Sequence, residues 1–229
     1  MTEPHAASTV ATLAAVTLKR FGRGKAPWIA AGLAALPIAY AALRHARAAP
    51  LRSDELFALM MLLVAVLPAM FVASSIGEEI EDRTSAYLWS RAIPRWAVVA
   101  GKLTALAPAA AALLAVSWYA AIRVAAAPPS LVSCGAIAAA SVAASVVAAG
   151  IATVVPRHAM VLTICYLLTD NAVGALDFSF AGLSITHQAK LAAQFGDAPS
   201  PVGAPLLAMA GVAAVWAAIA VLRIRRLEV

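Results

Sequence analysis

Read for alternation of apolar and polar positions, the chain divides into long apolar runs separated by short polar ones. The apolar runs are 27–43, 56–76, 97–122, 131–155, 159–176 and 203–222. A soluble core helix rarely keeps more than about 14 uninterrupted apolar residues, whereas crossing the hydrocarbon takes roughly 20. Backbone groups in lipid have no water to bond, so such runs span as helices, and the period-two alternation of a membrane barrel strand is absent. The pattern therefore predicts an all-α integral membrane protein with six transmembrane helices in a single domain, 1–229. Run 27–43 is the shortest, and run 159–176 is interrupted by Asp170 and Asn171.

Ahead of the first run, Val10, Leu13, Ala14, Thr17, Leu18 and Phe21 recur at helical spacing and lead into Lys19, Arg20, Arg23 and Lys25. That spacing predicts an amphipathic helix lying on the membrane surface. The first 25 residues lack the basic start, compact apolar core and small-residue cleavage site of a signal peptide. The segment Asp177 to Val202, with Phe178, Phe180, Leu183 and Ile185, is too polar to span and apolar enough to enter the interface as a short re-entrant or surface helix. Pro68 and Pro108 are each expected to kink a span, since each removes a backbone donor and crowds the preceding turn. Ser141, Ser145 and Ala149 recur every four positions, a spacing that lets helix backbones approach, either within one subunit or across a dimer seam.

Composition agrees with the pattern: 63% of the residues are hydrophobic, 12% are charged and the mean hydropathy is +0.88, which leaves too little polar surface to coat a soluble globule. Charge adds an orientation. With the N-terminus inside, twelve of the 17 basic residues fall on the inner side: Lys19, Arg20, Arg23, Lys25, Arg83, Arg91, Arg95, Lys102, Arg157, Arg223, Arg225 and Arg226. The positive-inside rule thus favours both termini in the cytoplasm, and the expected location is the cytoplasmic membrane. The net charge of +6 is accounted for by topology and contact with anionic lipid headgroups, and no nucleic-acid partner is required. Trp28 and Trp96 then fall at inner span ends and Tyr40, Trp118 and Tyr119 at outer ends, where amphipathic rings favour the headgroup region; Trp216, inside the last span, fits less well. Lys102 can reach the inner interface by snorkelling.

Candidate chemistry is sparse. Cys134 and Cys165 both lie in predicted spans and read as packed, inert thiols. No catalytic motif, metal-ligand cluster or phosphate-binding loop is present, and His5, His45, His158 and His187 are scattered. The chain is not expected to be an enzyme or to hold a metal or a nucleotide of its own. Asp170 and Asn171 are the exception within a span: an ionisable group there is costly and either lines a pathway or reaches out to water.

The polar run Gly77 to Leu103, GEEIEDRTSAYLWSRAIPRWAVVAGKL, gathers four carboxylates and three arginines between two spans. If the helix continues past Ile76, Glu78 and Asp82 share a face and Glu79 and Arg83 form an i,i+4 pair, which contributes only about 0.2–0.5 kcal/mol. Stability is a poor reason for such a cluster, and a docking surface is the better one. Its elements E-E-I-E-D-R-T, L-W-S-R-A-I-P-R-W and G-K-L resemble the first cytoplasmic loop of the type-2 ABC transporter permeases, with Ser85 departing from the family pattern, in which a Leu often follows the Thr. The resemblance implies a coupling helix between spans 2 and 3 that seats in a separate ATP-binding subunit. By that likeness Glu78, Glu79, Glu81, Arg83 and Thr84 would face the ATPase, Arg91, Pro94 and Arg95 would shape the return, and the turn at Pro156, Arg157 and His158 would make the second contact. It further implies a permease, in all expectation an exporter, paired with a second copy or a sister permease, with ATP and Mg held by the partner subunit. Asp170 and Asn171 are candidate pathway residues. The alternatives are an ATP-independent secondary transporter, against which stands the lack of an inverted repeat, and a membrane anchor or assembly factor.

Overall fold

The computed structural model describes residues 6–47, 53–81, 95–125, 130–176, 179–194 and 201–226. Among them every regular element is helical. In chain order these are α1 (Ala6–Arg23), α2 (Ala26–Ala46), α3 (Ser53–Pro68), a π-helical turn (Ala69–Ala73), α4 (Ser74–Glu81), α5 (Arg95–Val124), α6 (Leu131–Val154), a 3-10 turn (Pro156–His158), α7 (Ala159–Gly174), a second 3-10 turn (Ser179–Leu183), α8 (Ile185–Ala192) and α9 (Gly203–Arg226).

Five stretches among the described residues are long and apolar enough to cross a membrane: Ala26–Ala46, Ser53–Ile80, Trp96–Val124, Leu131–Val154 and Gly203–Ile224. The chain is a multi-pass membrane protein. The fifth expected span forms a helix, α7, but one of only 16 residues. At 1.5 Å per residue it covers about 24 Å, short of a hydrocarbon layer of about 30 Å. Its end is tied instead to the short helix α8, so the segment after it folds back into the bundle.

Packing follows residue size. The centre is built from α3, the π turn, α6 and the middle of α5; the buried face of α3 is chiefly Leu, Met and Val, and that of α6 is chiefly Ala, with Ser and Val. Small residues let α6 sit among neighbours on several sides. Ser141, Ser145 and Ala149 are all buried within this one chain, so the four-residue stripe serves internal packing. The Ser145 hydroxyl donates to the Ser141 carbonyl at 2.8 Å, one helical turn back. Gly150 marks the tightest approach on the same helix: a Cβ there would lie 2.7 Å from the Trp216 ring and 3.0 Å from its carbonyl. Trp216, unexplained as an interfacial residue, is a packing residue that crosses α6 and stacks edge-on to Tyr166 with centroids 5.4 Å apart.

Trp118 corrects a second aromatic assignment. It is not part of an interfacial belt but a fully buried side chain, edge-on to Phe57 at 6.4 Å, whose indole N–H donates to the Ser133 hydroxyl at 2.9 Å. Trp28 and Trp96 are exposed. Pro68 acts on the chain by a π turn: lacking an N–H, it is followed by a wider turn in which the Ser74 N–H reaches the Ala69 carbonyl five residues back.

The amphipathic N-terminal helix is present as α1, and the protein itself covers part of its apolar stripe. Val10, Leu13, Ala14, Thr17 and Phe21 are half-buried. The contact with α5 is close because Gly101 has no side chain: a Cβ there would fall 2.8 Å from the Leu13 Cβ and 3.2 Å from the Val10 carbonyl. Phe21 meets Phe71 of the π turn edge-on at 4.6 Å. Leu18, expected on this stripe, is instead exposed.

Candidate functional site

Gly77 lies where the polar run begins, and its lack of a side chain decides what it touches. A Cβ on Gly77 would sit 2.7 Å from the Pro156 carbonyl and 3.2 Å from the Ala159 Cβ. The backbone of α4 therefore rests directly on the Pro156–His158 turn. The described start of one segment expected to make inner contacts, α4, thus meets the other, the turn between α6 and α7, at one end of the bundle. Arg157 and His158 are exposed on the turn, and Glu78 is exposed on α4 beside it.

Glu79, next in sequence, is committed elsewhere. Its Oε1 lies 2.8 Å from the Nζ of Lys102, which is buried and also donates to the Ser75 carbonyl. Lys102 thus does not snorkel into water. It joins α5 to α4 across the base of the π turn, and both groups of the pair are drawn from the polar run. A buried ammonium needs such partners, since an uncompensated charge in a low-dielectric site is strongly unfavourable.

The remaining expected contact residues divide plainly. Arg83, Thr84, Arg91 and Pro94 lie outside the described residues. Glu81 closes α4 and Arg95 opens α5, so the two ends of the loop are helical. The segment expected to hold the coupling helix is bracketed by these helices and is itself outside the described residues.

Asp170 lies toward the opposite end, and both oxygens of its carboxylate accept hydrogen bonds. Oδ1 accepts from the Ile185 N–H at 3.0 Å, and Oδ2 accepts from the Thr186 N–H and hydroxyl, each at 3.0 Å. These are the first amides of α8, which have no partner inside their own helix, and a carboxylate at a helix N-terminus is favoured by the dipole. The Ser184 hydroxyl completes the arrangement, donating to the Asp170 carbonyl at 3.0 Å and accepting from the His187 N–H at 3.2 Å. Close approach is possible because Gly174 has no side chain; a Cβ there would lie 2.6 Å from the Ser184 hydroxyl. Asn171 is half-buried beside it.

Asp170 also bounds the far end of a groove of about 640 Å³ between α6, α7 and α9, lined chiefly by Ile151, Val155, Leu162, Tyr166 and Trp216. Among the described residues no three His, Cys, Asp or Glu groups converge as metal ligands would. A scan against protein-family models and a search of curated proteins each found no match.

Two features of this site were missed in the sequence. The Gly77–Pro156 contact depends on which helices are neighbours, and a lone Gly at a span end carries no such signal. The Glu79–Lys102 pair had one: opposite charges at the facing ends of consecutive spans, which antiparallel packing brings to one depth.

Proposed function

We propose that the chain is the transmembrane permease subunit of an ABC transporter, acting as an exporter in the cytoplasmic membrane with both termini inside. It works with separate ATP-binding subunits, which hold ATP and Mg, and with a second copy or a sister permease. The observation that carries the reading is the seating of Gly77 on the Pro156 carbonyl. A partner that pushes on the polar loop or on the Pro156–His158 turn would act on both at once, through a contact with no side chain in between to absorb the motion. The loop's likeness to type-2 permeases supplies the identity of that partner.

In this reading α4 transmits force into the second span, and the Lys102–Glu79 pair passes it on to α5. Glu78, Glu81, Arg83 and Thr84 face the ATPase, Arg91, Pro94 and Arg95 fix the return, and Arg157 supplies a second contact. The groove beside Asp170 and Asn171 is a segment of the translocation route. Its largely apolar walls favour an apolar or amphiphilic cargo.

The test is co-purification with an ABC ATPase encoded beside the gene, comparing the native chain with a Glu78→Arg, Glu81→Arg variant. Loss of the partner with the fold retained supports the proposal. Undiminished binding, or no ATPase partner, removes it in favour of the secondary-transporter or anchor alternatives.

A further inference from the structure

Beneath α1 the structure holds a second cavity, of about 710 Å³, walled by α1, the start of α2, the π turn with α4, and the first turns of α5. Its volume is within the range of small-molecule sites. The lining has two chemical halves. Leu13, Val16, Phe21, Met70, Val98 and Leu106 make an apolar floor, while Arg20, Lys25 and Lys102 with Glu78 and Glu79 make a charged rim.

The charges do not cancel evenly. Glu79 is neutralised by Lys102 at 2.8 Å. Among the described lining residues Arg20 and Lys25 then have Glu78 as the one remaining carboxylate, so this part of the rim keeps an excess positive charge, and both cations are exposed at the α1–α2 junction. An amphipathic helix at a membrane surface holds such a cavity at headgroup depth, with the floor toward the acyl region.

We propose that this cavity is a binding site for one anionic phospholipid, its phosphate held between Arg20 and Lys25 and an acyl chain laid along Val16, Phe21, Met70 and Val98. A Lys or Arg headgroup contact strengthens binding about fivefold, and a guanidinium is suited to a phosphate by its forked donors. The lipid would brace α1 against the π turn and α5, next to the pair that joins α4 to α5. The site does not depend on the identity of any ATPase partner.

Native mass spectrometry of the full chain in detergent tests this, with phosphatidylglycerol, phosphatidylcholine and glycerol phosphate as separate probes. The expected result is one retained phosphatidylglycerol, weaker retention of phosphatidylcholine and no binding of glycerol phosphate, which lacks the chains for the apolar floor. Arg20→Ala with Lys25→Ala should weaken phosphatidylglycerol about 30-fold, from two headgroup cations. Lys19→Ala with Arg23→Ala removes the same charge from α1 outside the cavity and should weaken it far less. Equal losses in the two double variants would show diffuse surface attraction and overturn the site. Equal retention of the two lipids, or binding of glycerol phosphate as tight as that of the lipid, would overturn it as well.

Discussion

The Lys102 ammonium reaches from α5 to within 2.8 Å of the Glu79 carboxylate on α4, with Lys102 buried and Glu79 about one quarter exposed. Removing one partner of such a pair leaves the other without compensation, whereas replacing both by apolar groups is nearly neutral. Glu79→Gln should therefore destabilise the chain by about 2–3 kcal/mol, below the full value for a dry pair because water reaches the carboxylate. Glu79→Gln with Lys102→Met should recover most of that loss. Thermal unfolding in detergent measures both, and a double variant no more stable than the single one would contradict the pairing.

Gly77 predicts a steric effect of a different kind. Its missing side chain leaves 2.7 Å between a would-be Cβ and a backbone oxygen of Pro156, an atom that cannot rotate away. Gly77→Ala must therefore move α4 off the turn, at a cost of about 1–3 kcal/mol typical of overpacking. Gly211→Ala, in α9 where a Cβ would meet nothing within 4 Å, is the control and should be neutral or slightly stabilising. If α4 and the turn act as one unit on an ATPase, Gly77→Ala also weakens co-purification of that partner, and Gly211→Ala does not.

The helices were legible because burial in lipid leaves a one-dimensional trace: an apolar run of sufficient length, ended by charge. Leu131–Val154 was expected at 131–155 and Gly203–Arg226 at 203–222. What one dimension does not carry is the neighbour across the bundle. Trp118 near a span end reads the same whether it faces headgroups or Ser133, and only the packing of α5 on α6 separates the two. Asp170 stands out in the sequence as an ionisable group in an apolar run, yet its partners Ile185 and Thr186 lie 15 and 16 residues on, beyond any helical period.

Trp118 gives a direct test of that hidden packing. Its indole N–H has the Ser133 hydroxyl at 2.9 Å, and the ring is enclosed. Ser133→Ala strands the donor and should cost about 1–3 kcal/mol, the penalty of an unmet buried group. Trp118→Phe in the same background removes the stranded donor, so the Ser133→Ala penalty should shrink in it. Unfolding midpoints of the four proteins close the cycle; equal penalties in both backgrounds would mean that the bond contributes nothing.

Asp170 separates a structural role from a transport role. As a cap, the carboxylate offers two oxygens to the Ile185 and Thr186 amides and a negative charge to the α8 N-terminus. Asp170→Asn keeps one acceptor, turns an amide donor toward an N–H and removes the charge, so α8 should open more readily by about 1–2 kcal/mol. Hydrogen exchange measured at Ile185 and Thr186 should then quicken by roughly five- to thirtyfold, since every 1.4 kcal/mol is a factor of ten. Thr186→Val removes only the hydroxyl bond and should have the smaller effect. Unchanged exchange in Asp170→Asn would refute the cap. Faster exchange with unaltered transport would leave Asp170 as a brace for α8 and take it out of the translocation route. Faster exchange with a changed pH dependence of transport would keep it in both.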